Sequence, residues 1–208
     1  MVIESGKNPE SPTAGKSLIH IIKSIVEPFS VASLFPKQQP LEVELGAGDG
    51  SFLAKYAALH PEHNFIGVER LLGRLRKIEK KGLRAGLTNL RLVRIEASYF
   101  LEFLLPEKSV VVLHVYFPDP WPKRKHRKNR LVNERFTELV QKVLTRDGII
   151  YLRTDDPDYY AQMTRVFDAS PAFAKIETPT TISSVVTDFE RNFHLRGVPT
   201  LAAGYQLK

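Results

Sequence analysis

The 208-residue chain contains no cysteine. That absence excludes disulfide scaffolds, thiolate zinc sites and every mechanism that needs a cysteine nucleophile, attack on a pyrimidine ring carbon among them. Long apolar runs are missing as well. The longest β-rich one, 110–117, is broken by His114 and falls far short of the ~20 residues that a membrane-spanning helix needs. The first 17 residues are polar, carry Pro9, Pro12 and two glycines, and lack the apolar stretch of a secretion signal. Residues 1–17 are therefore expected to form a disordered tail ahead of a single domain, 18–208, in a soluble, cytoplasmic protein that enters no membrane. With 43% apolar and 25% charged residues the remainder has the composition of one globular core.

Acidic residues are outnumbered, 23 against 30 Lys and Arg, for a net charge of +7. The excess is local. Lys123-Arg124-Lys125-His126-Arg127-Lys128-Asn129-Arg130 holds six of the cations. A block this dense is either a solvated charge run or a contact for a polyanion, whose neutralised phosphates release counterions.

Behind Ser17, a candidate N-cap, Leu18, Ile21, Ile22 and Ile25 recur at helical spacing and predict an amphipathic helix. From residue 41 short β-type runs alternate with helical ones. Strands are expected at 41–45, 65–68, 90–95, 110–116 and 149–153, and helices at 51–59, 71–85, 131–144 and 159–167. The last 35 residues carry few helical signals and are expected to add antiparallel strands at an edge. Such alternation, with nearly continuous apolar strands, predicts an open α/β sandwich: a mostly parallel sheet with helices on both faces. Ligands of such sheets bind beyond the carboxyl ends of the strands.

The loop after the first of these strands reads Glu44-Leu45-Gly46-Ala47-Gly48-Asp49-Gly50-Ser51. Its glycines allow a tight turn and a close approach to a ligand, although the same pattern also serves a bare strand-to-helix turn. A dinucleotide fingerprint would place glycine where Ser51 stands, and Glu44 suits a cofactor bearing an ammonium better than a pyrophosphate. The second strand ends in Gly67-Val68-Glu69-Arg70, which puts Glu69 where an acidic side chain takes both ribose hydroxyls of a nucleoside. The third ends in Glu96-Ala97, within reach of an adenine edge. Three acidic strand ends around a glycine loop fit S-adenosylmethionine better than NAD.

The strand at 110–117 runs into Pro118-Asp119-Pro120-Trp121-Pro122, where prolines on both sides restrict the backbone around Asp119. Trp121, the only tryptophan, either stacks on a base or is a core indole. Phe117 to Trp121 followed by Lys123-Arg124-Lys125-His126 resembles the signature of the bacterial tRNA (guanine-N7-)-methyltransferase family. The likeness extends over about residues 41–200 and takes in, in order, 44–48, 67–69, 117–121, Thr154-Asp155 and Thr187-Asp188-Phe189-Glu190. The sequence departs from the family at Glu96, where Asp or Asn is usual, and at Asn129, which interrupts the basic run.

The resemblance implies a Rossmann-like class I methyltransferase with a seven-stranded sheet, transferring a methyl group from S-adenosylmethionine to N7 of a guanosine in the variable loop of tRNA. It implies that Glu44, Gly46, Gly48, Glu69, Arg70, Glu96, Ala97 and Asp119 serve the cofactor, with Asp119 also the catalytic carboxylate. Lys123, Asp155, Thr187, Asp188, Phe189 and Glu190 would line the guanosine site, and Arg124, Lys125, Arg127, Lys128 and Arg130 would bind tRNA phosphates. Asp155 has a plainer alternative as a cap of the turn 155–157.

Two other readings remain open, an NAD-dependent oxidoreductase, disfavoured by Ser51, and a non-catalytic RNA-binding subunit. No metal is expected: Pro61 separates His60 from His63, and no third ligand lies nearby in sequence. The cations of 70–84 read as a solvated face or as a secondary tRNA footprint.

Overall fold

The computed structural model describes residues 17–28 and 30–208. Eight strands form one sheet in the order β1-β4-β3-β2-β5-β6-β8-β7. They are β1 (Ile19–His20), β2 (Leu41–Leu45), β3 (Asn64–Val68), β4 (Leu90–Val93), β5 (Val110–Tyr116), β6 (Leu144–Thr154), β7 (Phe173–Ile176) and β8 (Leu201–Leu207). β1 to β6 pair parallel, and β8 runs antiparallel to both β6 and β7. The strand order therefore reverses between β2 and β5, which places the ligand-binding end of the sheet at the loops after those two strands.

Alternation along the strands builds two cores. Val43, Leu45, Ile66, Leu113 and Val115 face one side with α4 (Glu134–Val143) and α5 (Pro157–Asp168), while Phe65, Leu90 and Leu92 face the other with α1 (Leu53–Leu59) and α2 (Leu72–Arg84). A short α3 (Ala97–Tyr99) continues as a π-helical turn, Phe100–Leu104, and α6 (Thr180–Ser183) and α7 (Asp188–His194) precede β8. All five residues of β2 are buried, as expected of a central strand covered on both faces.

The mostly parallel sheet with an antiparallel carboxyl-terminal edge is as expected, but it has eight strands and not seven. The additional one is β1, which corrects the helix expected behind Ser17. Ile19 and His20 pair with Leu92 and Val93, and the Ser17 hydroxyl donates to Glu79 Oε1 at 2.6 Å. Leu18 packs into one core and Ile22 against the other while Ile21 and Ile25 stay exposed, so the four do not form one buried stripe, whereas the edge of β4 offers unpaired backbone groups. The tail expected at 1–17 lies outside the described residues except for Ser17. Among the described residues no helix is long and apolar enough to cross a membrane.

Candidate active site

The carboxyl ends of β2, β3, β4 and β5 enclose a cleft of about 360 Å³ lined by Gly46, Glu69, Glu96, Phe117, Asp119 and Trp121, among others. Its floor begins at the glycine loop. Gly46 and Gly48 adopt φ of +75° and +57°, the left-handed region that favours glycine, and the Gly46 and Ala47 amides both donate to Val68 O. A Cβ on Gly46 would meet nothing within 4 Å, so that glycine serves the turn and leaves open space above it. Gly50 shares the left-handed conformation, at φ +72°, and answers to packing as well, because a Cβ there would lie 2.7 Å from the Ile78 side chain of α2. Ser51 Oγ, which stands where the dinucleotide fingerprint has glycine, accepts from the Asp188 amide at 3.1 Å and ties α7 to this loop.

Two carboxylates at the strand ends differ in how they are held. Glu69 is buried and accepts from the Gly48 amide at 3.1 Å and the Leu71 amide at 2.8 Å, which locks its orientation while each oxygen keeps a lone pair. Glu44 is 3% exposed, and its Oε2 has no hydrogen-bond partner. Burial pushes its carboxyl up to about 8, with the negative charges of Asp49 and Glu69 acting in the same sense and Arg153 opposing. An orphaned acceptor in this position would be satisfied by a ligand that carries positive charge.

Glu96 is exposed and turns back on its own chain, accepting from the Ser98 amide at 3.0 Å and the Tyr99 amide at 2.8 Å as the N-cap of α3. It lies on the cleft wall with Ala97 and Arg70.

Asp119 stands exposed at the tip of the loop after β5, between two non-glycine residues in the left-handed region, Phe117 at φ +51° and Trp121 at φ +43°. Such conformations cost roughly 1–3 kcal/mol each and persist only where the surroundings enforce them. Here the Phe117 amide donates to Arg153 O at 2.8 Å, and Arg130 Nε donates to Pro120 O at 2.7 Å. Trp121 is 36% exposed on the cleft rim, edge-on to His126, and so is not a core indole.

The Arg130 contact corrects an expectation. Its guanidinium is 2% exposed, with Nη1 on Gln162, Nη2 on Asp158 and the plane 4.7 Å from the centre of the Tyr159 ring. Every nitrogen has a protein acceptor, so Arg130 braces the Asp119 loop and is closed to phosphate. Lys123 and the 3₁₀ turn Arg124–Asn129 are different: Lys123, Arg124, Lys125 and Lys128 stand exposed, while Arg127 pairs with Asp158 at 3.0 Å.

At the far wall, α7 is fixed by a capping box. Thr187 Oγ1 accepts from the Glu190 amide at 2.9 Å and Glu190 Oε2 accepts from the Thr187 amide at 2.8 Å. Both side chains are buried, and the Glu190 carboxylate also pairs with Arg153 Nη1 at 3.2 Å. They hold α7 and do not face the cleft, which corrects their expected place against guanosine. The helix they hold comes up to the cleft wall: Phe189 is 49% exposed with its ring 5.1 Å from that of Phe117, a cleft-lining residue, and Asp188 lies beside Ser51 and Lys81. At the end of β6 the capping alternative for Asp155 falls to Asp156, which accepts from the Tyr159 amide at 2.8 Å. Asp155 is left half-buried beside the strand end.

Two groups important to this geometry escaped sequence reasoning. Arg153, 2% exposed, donates to Val185 O and Ile182 O as well as to Glu190, and lies over the Tyr116 ring at 4.4 Å. Beneath it runs a buried polar chain, with His63 on Glu42, Glu42 Oε2 on His114 Nε2 at 2.7 Å, and His114 Nδ1 on the Tyr116 hydroxyl at 2.8 Å. Only the capping box Thr187-x-x-Glu190 left a local trace in the sequence. The other partners are far apart along the chain.

Residues 38–203 match a family described as a putative methyltransferase. Among similar proteins, the tRNA (guanine-N(7)-)-methyltransferase of Chromohalobacter salexigens is 39% identical over 72% of this chain and 61% of its own length. That of Thermotoga maritima is 34% identical over 80% of this chain and 50% of its length, and that of Sodalis glossinidius 33% over 79% and 71%. The match thus spans less than two thirds of the first two relatives. In fold the chain is similar to the 16S rRNA methyltransferase KamB, with a TM-score of 0.61 at 16% identity over 88% of this chain and 95% of that one. TrmN from Thermus thermophilus gives 0.57 at 18% identity, over 82% and 45%. The family match and these identities show that the chain belongs to the tRNA (guanine-N(7)-)-methyltransferase family.

Proposed function

We propose that the protein transfers a methyl group from S-adenosylmethionine to N7 of a guanosine in tRNA, in the variable loop. One observation carries the reading of the cleft: a buried carboxylate with an orphaned oxygen, Glu44, stands one loop away from a strained, exposed one, Asp119, with exposed cations beside it. The donor set fits the cofactor, since Glu44 would face positive charge and Glu69 keeps lone pairs for two ribose hydroxyls. When bound, S-adenosylmethionine supplies an electrophilic methyl carbon on a sulfonium.

Guanine N7 has an in-plane lone pair and no proton, so no base is needed to make the nucleophile. The N7–carbon bond forms as the sulfur–carbon bond breaks, and no proton moves in that step. This chain's contribution is then positioning, with Trp121 on the cleft rim, Phe189 against the cleft-lining Phe117 and the braced loop holding Asp119. Methylation leaves the imidazole part of the base cationic, so a carboxylate beside it is worth more in the transition state than before it. In this reading Asp119 takes that role, and Asp155 is the candidate acceptor for the amine edge that separates guanine from adenine.

The test is incubation with radiolabelled S-adenosylmethionine and an unmodified tRNA transcript, followed by borohydride and aniline cleavage at N7-methylguanosine. A single cut in the variable loop is expected. Label without a cut would overturn the N7 assignment, and absence of label despite binding of both ligands would overturn the activity.

A further inference from the structure

Helix α2 carries a basic surface that the site as described does not use. Between residues 70 and 84 stand seven Lys and Arg and a single acid, Glu79. Leu75, Ile78 and Gly82 point into the core and fix the orientation of the helix, which turns Arg76, Lys77, Lys80 and Arg84 outward. Glu79 lies on the flank toward the sheet edge and is engaged by the Ser17 hydroxyl and the Leu18 amide. On the opposite flank Arg74 is 3.9 Å from Glu69 and Lys81 is 3.0 Å from Asp49, whereas no carboxylate among the described residues pairs with the four outward cations.

The arrangement works against the helix itself. Arg76 and Lys80, Lys80 and Arg84, and Lys77 and Lys81 are like charges at i, i+4, which repel. The first turn has no acid to complement the macrodipole, and Arg74 and Arg76 place positive charge near its positive end. A surface that lowers the stability of its own helix calls for a partner that is negatively charged.

Position identifies that partner. Arg70 and Arg74, at the amino-terminal end of the helix, line the same cleft as Asp119, Trp121 and Asn129. The cleft therefore has cations on two sides, the turn Arg124–Asn129 on one and α2 on the other. At 1.5 Å per residue the 13 residues of α2 extend about 20 Å, enough to follow several phosphates of one strand. We infer that the outward face of α2 is a second docking surface for the phosphate backbone of the RNA substrate, reached by the part of the polymer that leaves the cleft away from the Arg124–Asn129 turn. The inference rests on the RNA-methylating reading of the cleft and extends it to a face outside it.

The test combines Arg76→Gln, Lys77→Gln and Lys80→Gln in the full chain, none of which lines the cleft. Binding of fluorescently labelled full-length tRNA is followed by anisotropy across a salt series, without any turnover. The wild type is expected to bind at least about tenfold more tightly. The log–log salt slope of the variant should be shallower by roughly 2–3, at about 0.7–0.9 for each phosphate no longer neutralised. KM for tRNA should rise while turnover at saturating tRNA and S-adenosylmethionine affinity stay unchanged, and Tm should hold or rise slightly as the like-charge pairs are removed. A short hairpin that reaches only the cleft and the Arg124–Asn129 turn should be bound equally by both proteins.

An unchanged salt slope with full-length tRNA overturns the inference, as does a variant that loses only its binding to vesicles containing phosphatidylserine. If the slope changes as expected but the wild type methylates nothing, the surface stands and the catalytic reading fails. If methylation is intact and the slope does not move, the reverse holds.

Discussion

Glu42 and Glu44 stand two residues apart on the same face of β2, and both are almost completely buried, yet they are held in opposite ways. Glu42 accepts from His63 and His114, and these hydrogen bonds outweigh burial and hold its carboxyl below the ordinary value. Glu44 has an oxygen with no partner, and burial raises it to about 8. The difference lies in the partners: the carboxylate whose needs are met inside the protein ties elements together, and the one whose needs are unmet is the one proposed above to face the cofactor.

The sharpest test of that comparison removes the satisfied member. Glu42→Ala leaves the two histidines without their shared acceptor and is expected to cost about 3–6 kcal/mol in urea unfolding at pH 7, at roughly 1.5–3 kcal/mol for each hydrogen bond to an ionised group. Asp119→Ala should leave unfolding almost untouched and lower turnover by about 10²–10³, with little change in S-adenosylmethionine affinity, as loss of transition-state electrostatics does. Equal losses of turnover and affinity would place Asp119 in ground-state binding instead.

Glu44→Gln is expected to act in the opposite sense to Glu42→Ala on stability. It removes a buried group that must ionise, so the apo protein at pH 8 should be stabilised by about 1–3 kcal/mol, while affinity for S-adenosylmethionine falls. The pH dependence divides the pair in the same way. Between the ordinary carboxyl value of 4.5 and about 8, the native state retains a Glu44 proton that the unfolded chain has released, so its contribution to stability declines as pH rises and levels off above 8. Glu42 has the opposite sign, its stabilisation being present above the ordinary carboxyl value and lost as pH falls through its lowered native one. Urea titrations of the two Gln variants against pH would resolve both slopes. Cofactor binding should release a proton below about pH 8, measurable by calorimetry in buffers of different ionisation enthalpy, and Glu44→Gln should abolish the release.

The smallest effect on stability is expected in the basic segment, where the same contrast recurs between Arg130 and Lys125. Lys125→Gln should alter unfolding by no more than about 0.5 kcal/mol and weaken tRNA binding in a salt-dependent way. Arg130→Gln should loosen the Asp119 loop and reduce stability without changing the salt slope.

Much of the fold was legible because it depends on local pattern. The runs 41–45 and 110–116 became strands with the expected bounds, and the glycine loop, Glu69 and the Asp119 loop all reached one cleft. Local pattern misled at 18–25, where the apolar residues of the stripe are divided between two cores and solvent, and at Glu190, where the carboxylate of a recognisable capping box was expected on the substrate. Arg130 was misplaced for a related reason, since its neighbours in sequence are solvated cations and its partners Asp158 and Gln162 lie about thirty residues on.

By itself the sequence determined the alternation of strands and helices, the order of the strand-end loops and the residue types that stand on them, because periodicity and turn chemistry act over a few residues. The tertiary structure alone decided which carboxylates and cations are satisfied. Glu42 finds His114 across 72 positions and Arg153 finds Glu190 across 37, whereas Glu44 Oε2 finds no partner. Burial and the partners available to a buried charge are properties of the packed sheet, and they set which of these residues hold the fold and which are left with an unmet acceptor.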